Sequence, residues 1–316
     1  MTRKTRRNIR LVVAYDGTGY GGWQRQKNAP SVQAALEAAL AKMHGSSPPV
    51  FAAGRTDAGV HAQGQVANFY TDILSIPAGR FVPALNKLLP RDIRVMSAAE
   101  VPLDFHSRFD ARLRRYRYFI VIGRTVDPFA LRTAWQIPRS PDLRALNEAA
   151  SLLLGENDFT ALCSARDPSP SKRRTVLGAS FRWEGGLLVF EIAANAFLLR
   201  MVRSITGSLI HWEAGGGPAR GPAGGPAGTA AETLQLALAT GNRALAGPTA
   251  PAQGLFFWNA EYYEQPRRPG RGASWSRRGY EDPRGGSGDE PAEPGPLIPP
   301  TGPAFRLVPG IGSLEE

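Results

Sequence analysis

The sequence contains very little cysteine and no long apolar stretch. Cys163 is the single cysteine in 316 residues, so no disulfide can form within the chain, and a reducing compartment is expected. No apolar run approaches the roughly 18 residues that a bilayer-spanning helix needs. The basic residues 1–7 precede an alternating segment and not the apolar core of a signal peptide. We therefore expect a cytoplasmic protein with no membrane contact.

Motifs of metal-dependent and cofactor-dependent enzymes are also missing. The sequence has no CxxC, HExxH, G-x-S-x-G or Walker motif, and its four histidines lack the spacing of metal ligands. Residues 17–22, GTGYGG, match the dinucleotide pattern G-x-G-x-x-G, but residues 23–30 separate them from the next helical period. In a dinucleotide fold those glycines open a helix directly. The chain therefore favours chemistry that needs neither a metal nor an organic cofactor.

Positive charge is unevenly distributed along the chain. The formal net charge is +11, and residues 265–316 hold seven basic and seven acidic side chains, so residues 1–264 carry the whole excess. A basic folded body indicates a polyanionic partner such as a nucleic acid. A genome rich in G and C would also raise the arginine content without functional meaning, so the charge by itself leaves the partner open.

Apolar periodicity predicts the order β-α-β-β-α-β for the first part of the chain, close to a ferredoxin-like split unit. Ser31 is the expected N-cap of the first helix, and Pro90 closes the second. Strands are expected over residues 9–15, 65–70 and 92–101, with a short apolar run at 50–53, and helices over 31–43 and 81–88.

The second part repeats this mixture of strands and helices. One helix has Ser140 as its N-cap, followed by a proline, and ends at Gly155; another begins with a capping box at Thr229 and ends at Gly241. A further helix is expected over residues 196–212, and strands over 114–122, 175–183, 187–194 and 254–263. Two similar α+β halves are the most economical architecture.

Two segments fall outside this pattern. Residues 214–228 contain seven glycines and three prolines, which is typical of a flexible insertion. Residues 265–316 contain ten prolines and ten glycines, and we expect them to be disordered. The expected organisation is a basic arm at 1–8, an α+β half with the catalytic loop at 9–104, a second half at 105–264, and the tail.

The best candidate for catalysis is a carboxylate in a loop framed by glycines. Asp57 lies in the motif GRTDAGVH at residues 54–61, between the apolar run 50–53 and the next strand. The glycines allow a close backbone approach and positive φ angles, and Asp57 is the best candidate nucleophile or base. The alternative is that Thr56 and Asp57 only cap a turn, because such side chains often bond nearby backbone amides.

Three further residues carry charge or aromatic surface where function would use it. Arg55 could pair with a phosphate or with the nucleophile. Tyr116 lies between two arginines at a strand start and suits a stacked base with its phosphate, although an ordinary strand aromatic is the commoner case. Arg203 falls within an apolar helix. If its side chain faces inward, it needs a buried anion, and a reactive carboxylate would serve; if the side chain faces outward, it is solvated.

These residues resemble a known family, the TruA-type tRNA pseudouridine synthases. Eight contiguous residues, GRTDAGVH, make the resemblance specific. Arg200 departs from it, because many relatives have His or another polar residue there. Further motifs match in order over about residues 9–263: YDG at 15–17, GWQRQ at 22–26, SVQ at 31–33, FHSRF at 105–109, RYRY at 115–118, GENDF at 155–159, NAF at 195–197, MVR at 201–203, APA at 250–252 and GL at 254–255.

The resemblance implies an α+β fold in which two ferredoxin-like (RRM-like) halves form one continuous, mainly antiparallel sheet. The helices would lie on one face of the sheet, and the active-site cleft would lie between the halves. It implies isomerisation of uridine to pseudouridine at positions 38, 39 and 40 of the tRNA anticodon stem-loop, with no cofactor and no metal. It also implies a homodimer in which one tRNA contacts both subunits.

The resemblance assigns roles to individual residues as well. Asp57 would be the catalytic aspartate, Arg203 would pair with it, and Tyr116 would stack against the target base. Arg55 would help to extrude the base or occupy its place. Leu255 would pack beside the base, and His61, at the end of the motif, would belong to the substrate-binding set.

Two interpretations from other classes compete with this one. A non-catalytic RNA-binding protein would keep the fold and the charge, but an aspartate beside a polyanion would be unfavourable for binding alone. A carboxylate-based glycoside hydrolase needs two matched carboxylates, and only Asp57 stands in a motif.

Overall fold

The computed structural model of the chain describes residues 6–215 and 228–262. The expected tail lies outside these residues, and so does most of the expected insertion at 214–228. In the part of the chain that is described, no helix is both long and apolar enough to cross a membrane.

The first half has the expected order of elements. The elements are β1 (Arg7–Tyr15), α1 (Val32–His44), β2 (Phe51–Ala52), β3 (His61–Thr71), α2 (Phe81–Leu88) and β4 (Ile93–Val101). The strands pair in the order β4-β1-β3, β2 pairs with β3, and all of these pairs are antiparallel. This order of strands is that of a ferredoxin-like unit.

The second half repeats the arrangement. The elements are β5 (Ala111–Ile122), α3 (Pro128–Leu131), β6 (Trp135–Ile137), α4 (Leu143–Ser151), β7 (Gly155–Asp158), β8 (Arg173–Glu184), β9 (Leu187–Ala194), α5 (Met201–Glu213), α6 (Ala230–Thr240) and β10 (Leu255–Tyr262). The strands pair in the order β10-β5-β9-β8-β7, and the short β6 runs parallel to β5.

The two halves share one sheet because β10 pairs with strands of both. It runs antiparallel to β5 and makes a short parallel pairing with β3, where Phe256 lies opposite His61 and Phe257 opposite Ala62. The predicted α+β class and the single, mostly antiparallel sheet are therefore confirmed. The GRTDAGVH motif, which ends at the start of β3, comes to lie next to the second half.

Most buried side chains belong to one core on the helical face of the sheet. Leu36 of α1, Phe69 of β3, Phe190 of β9 and Leu209 of α5 are all fully buried in it. A smaller cluster, built around Phe119 on the other face, contains no residue of the six helices. Helices α1, α2, α4, α5 and α6 therefore pack against a single face of the sheet, as expected, whereas the short α3 buries no residue.

Helix caps that were read from local sequence are confirmed. Ser31 caps α1 by accepting the backbone N–H of Ala34. The Thr229 capping box is complete, and Gly241 ends α6 with a φ of 65°, in the left-handed region that glycine tolerates. These caps depend on contacts within a few residues, which is why the sequence alone predicts them.

Several predicted boundaries were wrong. α4 begins after Asp142, whose carboxylate accepts two backbone N–H groups, and not after Ser140. Gly155 does not end that helix; it starts β7 with a φ of 85°. The helix expected from residue 196 begins only at Met201, because Arg200 has a left-handed φ of 60° that interrupts a helical path. Strand β1 starts at Arg7 and so includes part of the expected arm.

Three short elements, α3, β6 and β7, were not predicted. They contain four, three and four residues. Such short segments do not complete a helical or strand period, so periodicity cannot detect them.

Candidate active site

The loop between β2 and β3 is held by hydrogen bonds from three surrounding segments. The hydroxyls of Tyr15 and Thr56 are 2.8 Å apart. The backbone N–H of Trp23 donates to the Thr56 carbonyl at 3.2 Å, and the Gln65 amide donates to the Gly54 carbonyl at 2.9 Å. Among the described residues the buried Thr56 hydroxyl bonds this tyrosine and no backbone N–H group, so it does not cap a turn. Thr56 anchors the loop and leaves the neighbouring side chain available.

Asp57, the neighbouring residue, forms an ion pair with Arg203 across the two halves. The Asp57 Oδ2 and Arg203 Nη1 atoms are 3.1 Å apart, and the side chains are 22% and 15% exposed. Arg203 also donates from Nε to the Ala250 carbonyl at 2.8 Å, which fixes the guanidinium from a second side. The alternative of a fully solvated Arg203 is therefore wrong. The carboxylate is paired and still reachable from solvent.

Tyr116 lies on the helical face of β5 in a largely apolar setting. Its ring meets Phe197 and Phe257 edge-on, with ring centres 4.9 and 5.1 Å apart. Burial, with smaller contributions from Tyr15 and Asp57, raises the pKa of the Tyr116 hydroxyl, so the phenol is neutral. A Cβ added at Gly54, three residues before Asp57, would lie 3.6 Å from the Tyr116 hydroxyl oxygen, so the loop packs against this side chain.

Arg115 and Arg117 do not accompany Tyr116, contrary to the expectation of flanking cations for a bound phosphate. Both guanidinium groups bind Glu191 at 2.7 Å, and Arg117 also lies over the Trp258 ring at 4.0 Å. Successive side chains of a strand point to opposite faces of the sheet. The two arginines therefore belong to the face opposite Tyr116.

Arg55 and Leu255 occupy different environments. Arg55 is exposed on the loop and makes no hydrogen bond to Asp57. Burial lowers the pKa of Arg108, and the positive charge of Arg55 lowers that pKa further. Leu255 is 5% exposed at the start of β10, two residues before Phe257 and therefore on the same face of the strand. The structure thus places Leu255 on the Tyr116 side of the sheet.

His61 is buried inside the protein, with 1% of its surface exposed. Its Nδ1 accepts the Gly17 backbone N–H at 3.1 Å, and its ring stacks on Phe256 at 4.6 Å. Burial lowers the pKa of the imidazole, although the nearby Asp16 opposes this, and a neutral ring suits an accepting Nδ1. The substrate contact expected for His61 is not available in this geometry, and its bonds support the loop instead.

Sequence reasoning missed the aromatic and basic neighbours of Tyr116. Phe197 and Phe257 come from distant segments, and only their apolar character was visible. Arg114 lies on the same face of β5 as Tyr116, and the alternation of the strand could have revealed this. Within residues 6–215 and 228–262, no three His, Cys, Asp or Glu side chains are grouped to hold a metal ion.

Comparisons with known proteins identify relatives along most of the chain. A family model described as tRNA pseudouridine synthase matches residues 11–110 and 149–263. A Treponema denticola protein named tRNA pseudouridine synthase A is 46% identical over 266 residues, covering 83% of this chain and 95% of the relative. Proteins of the same name from Anoxybacillus flavithermus and Acetivibrio thermocellus are 41% and 39% identical, each over 81% of this chain and 99% and 100% of the relative.

The fold and the site are those of an α+β enzyme with a carboxylate at the junction of two half-domains. The chain belongs to the tRNA pseudouridine synthase family, and it is an isomerase that converts uridine in tRNA.

Proposed function

We propose that this enzyme forms pseudouridine at positions 38, 39 and 40 of the tRNA anticodon stem-loop, with Asp57 as its catalytic carboxylate and with no cofactor. The observation that carries the proposal is the Asp57–Arg203 pair, at 3.1 Å, in a loop whose Gly54 lies against the hydroxyl of the buried Tyr116. The positions in tRNA rest on the family resemblance of the motifs around these residues.

The reaction moves the uracil ring without changing its composition. The C1′–N1 glycosidic bond breaks, the ring turns, and a C1′–C5 bond forms, while the proton on C5 leaves and N1 gains one. A carboxylate can begin this by adding to the sugar, by adding to the base or by removing a sugar proton. All three routes require a carboxylate within reach of the nucleoside, and the ion pair with Arg203 holds the Asp57 carboxylate in place.

The residues around Asp57 suit a nucleotide that has left its stack. Extruding a base costs a few kcal/mol, which aromatic and apolar contacts offset. Tyr116 would stack on the uracil as a neutral phenol, and Leu255 would pack beside it. The exposed Arg55 would take the place that the base has left. Positive charge in the body of the protein supplies affinity for tRNA that does not depend on sequence.

The quaternary structure and the compartment are part of the same proposal. The family resemblance implies a homodimer, with one tRNA contacting both subunits. The single cysteine, Cys163, and the tRNA substrate fit a cytoplasmic enzyme. Light scattering at several protein concentrations tests the dimer directly.

The experiment uses tRNA transcripts labelled with tritium at C5 of uridine, because formation of pseudouridine releases that hydrogen. Wild type should release tritium, and the isosteric variant Asp57→Asn should lose at least about 10³-fold in rate. Both proteins should bind tRNA with similar affinity. Mapping the product with transcripts that keep uridine at a single position tests positions 38, 39 and 40 separately.

Each result decides one part of the proposal. Equal tritium release by wild type and Asp57→Asn would remove Asp57 from the mechanism. Product at other uridines would overturn the assigned positions and leave the isomerase activity. Tight tRNA binding by wild type without any release would favour a non-catalytic RNA-binding protein.

A further inference from the structure

Arg114, on β5, makes an unusual set of hydrogen bonds that all end on backbone carbonyls. Its Nε donates to the Ala53 carbonyl at 3.1 Å. Its Nη1 donates to the carbonyls of Ala111 and Asn195 at 2.9 and 2.6 Å, and its Nη2 donates to the carbonyl of Arg108. Among the described residues, no carboxylate hydrogen bonds to this guanidinium.

The chemistry of arginine explains why this residue type is needed. A guanidinium carries five N–H donors on three nitrogens in a rigid plane, whereas a lysine carries three donors on one nitrogen. A lysine at this position therefore keeps the charge but cannot reach carbonyls that lie around the whole plane. Burial lowers the pKa of Arg114; Tyr262 and Tyr116 oppose this effect, and Arg108 adds a smaller lowering.

Two of the four carbonyls, those of Ala53 and Asn195, belong to segments that carry the proposed active site, and the other two lie just before and at the start of β5. Ala53 opens the catalytic loop, four residues before Asp57. Asn195 lies two residues before Phe197, whose ring packs 4.9 Å from the ring of Tyr116. One guanidinium thus connects the loop of the first half with the aromatic segment of the second half.

We propose that Arg114 is a positioning residue of the isomerase, which holds the Asp57 loop and the Phe197 segment in register with Tyr116. This inference rests on the proposed catalytic role of Asp57. A loss of register of about 1 Å at a reacting group lowers rates by about 10²-fold. Arg114→Lys should therefore reduce kcat by about 10- to 100-fold and leave the Kd for tRNA within about threefold.

Arg115→Lys is the matched control. Arg115 is the next residue on β5, but its guanidinium lies on the other face and binds Glu191 and Glu261 at 2.7 and 3.2 Å. The same chemical change there should leave kcat within about twofold, because a lysine can still bind these carboxylates and both lie on the face of the sheet away from Tyr116. Both variants are assayed at a temperature at which their unfolding curves show them folded. Equal losses of kcat in the two variants would overturn the positioning role.

Hydrogen exchange measured by mass spectrometry gives a second result that does not depend on activity. In Arg114→Lys, amides in residues 53–60 and in residues 195–200 should both exchange faster, and in Arg115→Lys neither should. If wild type forms no pseudouridine, the proposed function fails, while hydrogen exchange still decides whether Arg114 holds the two segments. If wild type is active and Arg114→Lys changes neither kcat nor exchange, the inference fails while the function stands.

Folding failure is also informative. Arg114→Gln, which keeps an amide donor without the charge, is the second variant if Arg114→Lys does not fold. If neither variant folds, Arg114 is required for folding itself, and the narrower positioning role is overturned.

Discussion

Gly22 offers a way to displace the loop that carries Asp57 without changing any residue in that loop. Its φ is +99°, and a Cβ placed there would lie 2.3 Å from the Thr56 carbonyl oxygen and 3.0 Å from the Asp57 carbonyl carbon. The atoms met are backbone atoms, so no side-chain rotation relieves the overlap. Gly22→Ala should therefore push the segment that carries Asp57.

The expected size of the effect follows from these distances. A left-handed φ costs an L-residue about 1–2 kcal/mol, and loss of glycine freedom in the unfolded chain offsets about 0.4–1 kcal/mol. In addition, the Thr56 carbonyl oxygen must move about 1 Å away from the new Cβ to reach an ordinary van der Waals distance. Overpacking of this kind adds about 1–3 kcal/mol of destabilisation, and a shift of about 1 Å lowers kcat by about 10²-fold.

Gly45→Ala is the matched control, because Gly45 has a φ of +70° and a Cβ added there would meet nothing within 4 Å. It should lose about 1 kcal/mol of stability and no activity. The assay is single-turnover tritium release, together with tRNA binding and thermal unfolding for both variants. A folded Gly22→Ala enzyme with the kcat of Gly45→Ala would refute the claim that contact with Gly22 positions the loop.

Two further predictions follow from named contacts. Arg203→Met removes a charge-assisted hydrogen bond worth about 2 kcal/mol, so kcat should fall about 30-fold with little change in tRNA affinity; a loss confined to affinity would contradict the ion-pair role. For Asp167, burial raises the pKa, but the backbone N–H groups of Leu199 and Ser169 and the Lys172 ammonium outweigh it and hold the pKa at about 2. Because the folded pKa is below the unfolded one, this carboxylate stabilises the fold by about 2 kcal/mol above about pH 4, and the contribution disappears as the pH falls toward 2. Denaturant unfolding at several pH values should show that wild type loses stability more steeply with acid than Asp167→Asn does. Parallel curves for the two proteins would contradict the stabilising role of the Asp167 carboxylate.

Much of the fold was predictable because local rules specify it. The caps at Ser31, Thr229 and Gly241 satisfy backbone groups a few residues away, so sequence spacing alone identifies them. The order of strands and helices follows from apolar periods. The apolar period fails where one residue has an unusual conformation. The left-handed Arg200 delays the start of α5 to Met201, five residues later than the period predicts.

The sequence by itself determined the two α+β halves, the glycine-framed Asp57 and the family to which the motifs belong. Only the tertiary structure decided which charges meet. Asp57 and Arg203 are 146 positions apart in the chain, and they pair because β10 joins the two halves into one sheet. The alternation of side chains along β5, which is a local property, turns Arg115 away from Tyr116, whereas the shared sheet brings Arg114 to the loop. Contacts between distant segments depend on how complete elements pack, and no local pattern of residues records that packing.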